Sequence, residues 1–97
     1  MLEITVKAQE MLNQYISQGD DTDVAVRIEI VGRGPNGFNY DLQLVPLKDA
    51  KEGDLETESN GLPILIAERS VQYIDGTTLD YKETLMGGGF AFDNPNP

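Results

Sequence analysis

SVQYIDGTTLDYKETLMGGGFAFDNPNP (70–97) is the stretch on which the reading of this chain turns. Thr78 to Glu83 and Phe90 to Phe92 are expected to be strands. Gly87-Gly88-Gly89 lies between them and is expected to be the turn, because glycine reaches positive φ at no steric cost. The triplet lacks the Lys-Ser/Thr of a phosphate loop, so a nucleotide is not its implied ligand. Just upstream, Ala67 to Val71 is expected to form one short helix.

Working outward, Leu2 to Ile4 suits a short strand and Thr5 an N-cap, whose hydroxyl accepts from an orphan amide of the next turn. Ala8, Met11, Leu12, Tyr15 and Ile16 then recur at helical spacing, with Gln9, Asn13 and Gln14 opposite and Gly19 as the stop. Val24, Val26, Ile28 and Ile30 alternate with Ala25, Arg27 and Glu29, a strand with one wet face. GRGPNG (32–37) is expected to break it. Phe38, Tyr40, Leu42 and Leu44 make a second strand of the same kind, followed by a charged turn from Lys48 to Asp54. Leu55 to Ser59 and Leu62 to Ile66 flank Asn60-Gly61, a type I′ hairpin signal. Pro63 has no amide to donate, so it should face an edge or a bulge. The pattern predicts one domain over residues 1–97, mostly β (α+β), with one N-terminal amphipathic helix packed on a sheet and about six short strands.

The 97 residues carry 17 acids against 7 bases, a net charge of −10. Nucleic acid and anionic membrane surfaces are therefore poor partners, since both need clustered Lys or Arg. A basic protein surface would be steered toward this one. No apolar run is long enough to span a bilayer and the N-terminus is not a signal peptide, so the expected location is the cytoplasm.

There is no His and no Cys. The commonest general base and the strongest nucleophile are both missing, Ser17, Ser59 and Ser70 have no obvious activator, and no enzyme is expected. Glu56 and Glu58 share a strand face and read as a solvated edge. Asp20, Asp21 and Asp23 lack the spacing of a calcium loop. Soft metals and iron–sulfur clusters need thiolate or imidazole, so no metal ligand and no cofactor is assigned. Leu85, Met86, Phe90 and Phe92, beside glycines, read first as core packing and otherwise as an apolar surface for partner binding.

Two segments carry a resemblance. Gly34, Pro35, Asn36, Gly37, Phe38, Asn39 and Tyr40 match a family motif of glycine, then Cys-Ser-Gly-Phe-x-Tyr, with Pro35 in the cysteine's place. Tyr73, Asp75, Gly76, Asp80, Tyr81, Gly87, Gly89, Phe90, Phe92, Asn94, Pro95 and Asn96 match a second motif that ends Gly-x-Gly-Phe-x-Phe-x-Asn-Pro-Asn. On these residues the chain resembles the HesB/IscA family, the A-type carriers of iron–sulfur cluster assembly. The family's third segment, a Cys-Gly-Cys tail, would follow the point at which these residues end.

The resemblance implies a HesB-like domain of small mixed β-sheets, about six to seven short strands with one N-terminal helix, in a family that holds iron or a cluster between cysteines of a homo-oligomer and passes it to apo-proteins. The ligands do not transfer, because proline has no donor atom. The implied role is a docking or client-recognition module in cluster assembly, as in the cysteine-lacking first domain of NfuA-like carriers. Its partner-binding residues would be Arg33, Asn36 and Phe38 on one segment and Met86, Phe90 and Phe92 on the other. Two alternatives remain: a carrier using oxygen ligands or a partner's thiols, and an interaction domain unrelated to iron–sulfur chemistry.

Overall fold

The computed structural model describes residues 2–19, 23–35 and 37–96. Asp20, Asp21 and Asn36, named above, lie outside the described residues. The chain divides into two compact units, one drawn from residues 2–19 and 74–96 and the other from residues 23–73. The described strands form two mixed sheets.

In the first unit, β1 (Glu3–Ile4) leads into α1 (Val6–Ser17). Thr5 is extended at φ −68°, ψ 159° and its Oγ1 accepts from the Ala8 amide at 3.2 Å. The same hydroxyl donates to Asp80 Oδ1 at 2.8 Å, so the cap also ties the helix to a strand. β6 (Thr78–Thr84) pairs parallel with β1 and antiparallel with β7 (Gly87–Asp93). Ala8, Leu12, Ile74 and Leu79 are fully buried in this unit. Burying each larger side chain stabilises the fold by roughly 1.5–3 kcal/mol.

The second unit has sheet order β3-β2-β5-β4. β2 (Val24–Gly34) and β3 (Gly37–Pro46) form a long hairpin. β4 (Leu55–Ser59) and β5 (Leu62–Ile66) form another, and β5 joins β2 in parallel. Asn60 (φ +49°) and Gly61 (φ +86°) make the left-handed turn that a two-residue hairpin of this hand needs. Four of the five β5 residues are buried, the continuous apolar pattern of a strand inside a sheet. No helix among the described residues is long and apolar enough to cross a membrane.

Several expectations are corrected. The glycine triplet is not the turn: Gly87, Gly88 and Gly89 are strand residues of β7, and the turn is Leu85-Met86. The physical reason is Gly88, where a Cβ would run into the ring and hydroxyl of Tyr81 on the paired strand. Gly87, at φ +118°, absorbs the twist at the turn's exit, and Thr84 Oγ1 donates to its carbonyl at 2.9 Å. GRGPNG does not end the strand either. β2 runs to Gly34 through a register shift between Ile30 and Gly32, and the break is a bulge.

The helix does stop at Gly19, which follows the C-cap Gln18 and donates its amide to the Ile16 carbonyl at 3.2 Å, but without the positive φ of a left-handed cap. Gln9 is buried rather than on a polar face, whereas Tyr15 is 43% exposed. Ala25 is buried too, so the second face of β2 is not wet. Pro63 sits on an inner strand. It opposes Glu58, one step from the bonded Ser59–Leu62 pair, and the ladder to β2 starts only at Ile64, so no donor is required of it. Residues 67–71 are not one helix: a 3-10 turn (Glu68–Ser70) continues into α2 (Val71–Ile74).

Candidate functional site

The β2–β3 hairpin carries the first group of expected site residues. Pro35 is exposed at its tip, between the last paired residues Gly34 and Gly37. Phe38 is half-buried and lies at the centre of an aromatic cluster. Its ring centroid is 6.4 Å from that of Tyr40, in an edge-on arrangement, and 5.7 Å from that of Tyr73. The Arg33 guanidinium stands 4.7 Å over the Phe38 ring, within cation–π range. Asn36 is the member of this group outside the described residues.

Behind the hairpin the bulge leaves Val31 60% exposed. The Ile30 amide, released from the regular ladder, donates to the buried Ser70 hydroxyl at 2.8 Å. Ser70 is thus a structural acceptor that holds the 3-10 turn against β2. The result is an open groove of about 610 Å³, lined by the bulge, Arg33, Phe38, Arg69 and Tyr73. Tyr73 entered the sequence reading only as a motif residue and Arg69 not at all. Nothing in a local pattern places residues so distant in the chain beside Arg33.

One side of the groove rests on an ion network. Arg27 donates to both carboxylate oxygens of Asp54, each at 3.0 Å, and to Glu29 Oε1 at 2.9 Å. Arg69 reaches Glu29 Oε2 at 3.4 Å. Hydrogen bonding from Arg27 holds both the Asp54 and Glu29 carboxyls below their ordinary range, and Asp54 and Glu29 in turn raise Arg27.

The second group lies on the β6–β7 hairpin. Leu85 and Met86 form its turn and are essentially fully exposed, at 107% and 96%. Phe90 is half-buried. Its ring packs edge-on to Tyr81 at 5.1 Å and against Tyr15 at 6.2 Å. Phe92 is half-buried and opposes Leu79. Of this group, Met86 projects to solvent and Phe90 is engaged in packing.

The Asn94-Pro95-Asn96 end of the second motif has a structural task. Asn94 Oδ1 accepts from the Asn96 amide at 2.9 Å, and the Asn96 side chain donates to the Asp75 carbonyl at 2.8 Å. Pro95 lies 3.5 Å from where a Cβ on Gly76 would stand, and Gly76 has φ +79°. The motif therefore closes the tail onto the Asp75-Gly76 turn.

None of this geometry suits an iron–sulfur cluster. Pro35 offers no ligand, and among the described residues no three His, Cys, Asp or Glu side chains are grouped to hold a metal.

Comparison with known proteins gives the frame. The chain is 36% identical to the iron–sulfur cluster insertion protein ErpA of Haemophilus influenzae (strain PittEE) over 95 residues, 98% of this chain and 82% of the relative. It is similar to a crystal structure of IscA with the [2Fe–2S] cluster, with a TM-score of 0.81 and 36% identity over 98% of this chain and 86% of that one. It also resembles Escherichia coli SufA, involved in biosynthesis of iron–sulfur clusters, with a TM-score of 0.80 and 25% identity over 99% and 82% of the two chains. The family model for iron–sulphur cluster biosynthesis matches residues 1–97, and this cysteine-free chain belongs to that family.

Proposed function

We propose that this chain is a docking module of iron–sulfur cluster assembly, working in the cytoplasm, which recognises protein partners without a cluster ligand of its own. The family is one of non-catalytic carriers, and its members imply partners within the assembly pathway. The observation that carries the reading is the β2–β3 hairpin. Its tip has exchanged the ligating residue for Pro35, while the Arg33–Phe38–Tyr73 arrangement behind it is ordered and faces a groove. A protein that had lost its cargo and its partners alike would have no use for an exposed arginine stacked on an aromatic beside an open depression. The Met86 turn offers an apolar contact on the other unit.

The test is titration of the protein into apo-forms of cluster-accepting proteins by calorimetry. Saturable binding to at least one of them is expected. The reading falls if no acceptor binds more tightly than it binds an unrelated acidic domain of similar size.

A further inference from the structure

We infer that the open edge of β4 is a docking site for an extended basic segment of a partner protein, which it takes as an added strand. The surface is separate from the β2–β3 hairpin, so the inference goes beyond the docking role assigned to that hairpin.

β4 ends the sheet order β3-β2-β5-β4, so only one of its sides is paired. The alternation of the ladder decides which groups the other side offers. Pro63 has no N–H and opposes Glu58, which makes that pair a non-bonded one. Glu56–Leu65, two steps on, is of the same kind, while Leu55, Thr57 and Ser59 stand in the bonded pairs with β5. The N–H and C=O groups of Glu56 and Glu58 therefore point away from the sheet, and no backbone bond among the described residues takes them up. A row of such groups is a template for another strand.

The side chains decide which strand it accepts. Glu56 and Glu58 share one face of β4. Both are exposed, and neither makes a hydrogen bond or ion pair among the described residues. They border a depression of about 360 Å³ whose apolar lining includes Leu47, Pro63 and Leu65. On an added antiparallel strand, the residues opposite Glu56 and Glu58 stand two apart on that same face, with Cβ atoms ~4.5–5.5 Å from theirs. Lys or Arg at both places pairs with the carboxylates, and the aliphatic stems cover Leu47 and Pro63. The residue between them meets Thr57 on the other face, where a β-branched side chain fits.

A second copy of this chain is the wrong occupant. Two β4 edges would set Glu56 and Glu58 against each other, and nowhere do two of this chain's 7 bases stand two residues apart. The net charge of −10 draws a basic segment and repels an acidic segment or a nucleic acid. The two carboxylates thus guard the edge against self-pairing and select what it accepts.

The native protein is titrated with a short fluorescent peptide of alternating lysine and valine, with anisotropy as the readout. Two further peptides are compared: one with glutamate in place of lysine, and one with the lysine amides N-methylated. Methylation keeps the charge and removes the donors that would face β4. The lysine peptide should bind saturably, more weakly as salt rises. The methylated peptide should bind about tenfold more weakly or worse, as loss of the strand hydrogen bonds requires. The double variant Glu56→Lys/Glu58→Lys should weaken the lysine peptide by about tenfold. Glu3→Lys/Glu10→Lys, with the same net charge, should stay within about twofold of the native protein. The β4 side chains are exposed, so their reversal should leave the thermal midpoint in place, and the methylated peptide needs no variant at all.

Absence of lysine-peptide binding overturns the inference, as does tighter binding of the glutamate peptide. Equal binding of the methylated peptide also overturns it, because charge alone would then hold the peptide. A native dimer that Glu56→Lys/Glu58→Lys dissolves would give the edge to a second copy and overturn it too. The readout uses no apo-acceptor, so it stands or falls apart from the hairpin.

Discussion

Arg27 and Asp54 meet at two points, Nε to Oδ2 and Nη2 to Oδ1, each 3.0 Å, with the Asp54 side chain 2% exposed and that of Arg27 10%. Asp54 also accepts from the Lys51 amide at 3.0 Å, so one carboxylate anchors both the arginine and the turn before β4. Removing one partner of a shielded pair leaves the other charge uncompensated. Asp54→Asn should therefore destabilise the protein by about 3 kcal/mol, measured by urea unfolding at pH 7.

The same pair sets an acid limit. Asp54 and Glu29 are both held below their ordinary values of 3.8 and 4.5, chiefly by hydrogen bonds from Arg27. The unfolded chain therefore binds protons more readily than the folded one. Their contribution is complete above the ordinary carboxylate range and is lost as pH falls through the lower folded values. Urea midpoints measured downward from pH 6 should fall steeply below the ordinary values, and less steeply in Asp54→Asn. Equal slopes would show that the pair is not responsible.

Gly88 and Gly89 are neighbours in sequence and opposite in consequence. A Cβ on Gly88 meets the Tyr81 ring, while one on Gly89 meets nothing within 4 Å. Gly88→Ala should cost roughly 1–3 kcal/mol and disturb the near-UV signal of the Tyr15–Tyr81–Phe90 cluster. Gly89→Ala should fall within about 0.5 kcal/mol of the native protein in thermal unfolding.

Asn96→Ala removes the side-chain bonds to the Asp75 carbonyl at 2.8 Å and to Asn94 Oδ1 at 3.0 Å, and keeps the backbone amide's bond to Asn94. A loss of about 1 kcal/mol is expected. The clearer readout is limited proteolysis, in which the tail after Asp93 should be cut sooner than in the native protein.

The parts of the fold written in local chemistry were legible. Thr5 caps its helix, Asn60-Gly61 turns its hairpin, and the family motifs identify the fold. What escaped was long-range. Glycine's turn preference pointed to residues 87–89, but Gly88 answers to Tyr81 across a ladder and the turn fell to Leu85-Met86. Arg27 read as a wet-face residue because Asp54 is far away in sequence. The bulge at Val31 was read as a strand end, since Gly32 and Gly34 look like breakers until Ser70 is seen to take the Ile30 amide. Of the candidate site, Phe38 was named from the motif and Arg33 from the GRGPNG loop beside it, and Arg69 could be found only from the fold.

The most direct test is anaerobic reconstitution of the 97-residue chain with iron and sulfide, followed by desalting and iron analysis. A chain with no cysteine, and with Pro35 at the hairpin tip, should emerge colourless, with iron far below one equivalent per chain. A coloured protein holding a stoichiometric cluster would contradict it, and would mean that oxygen ligands of this chain do the work of the missing thiolates.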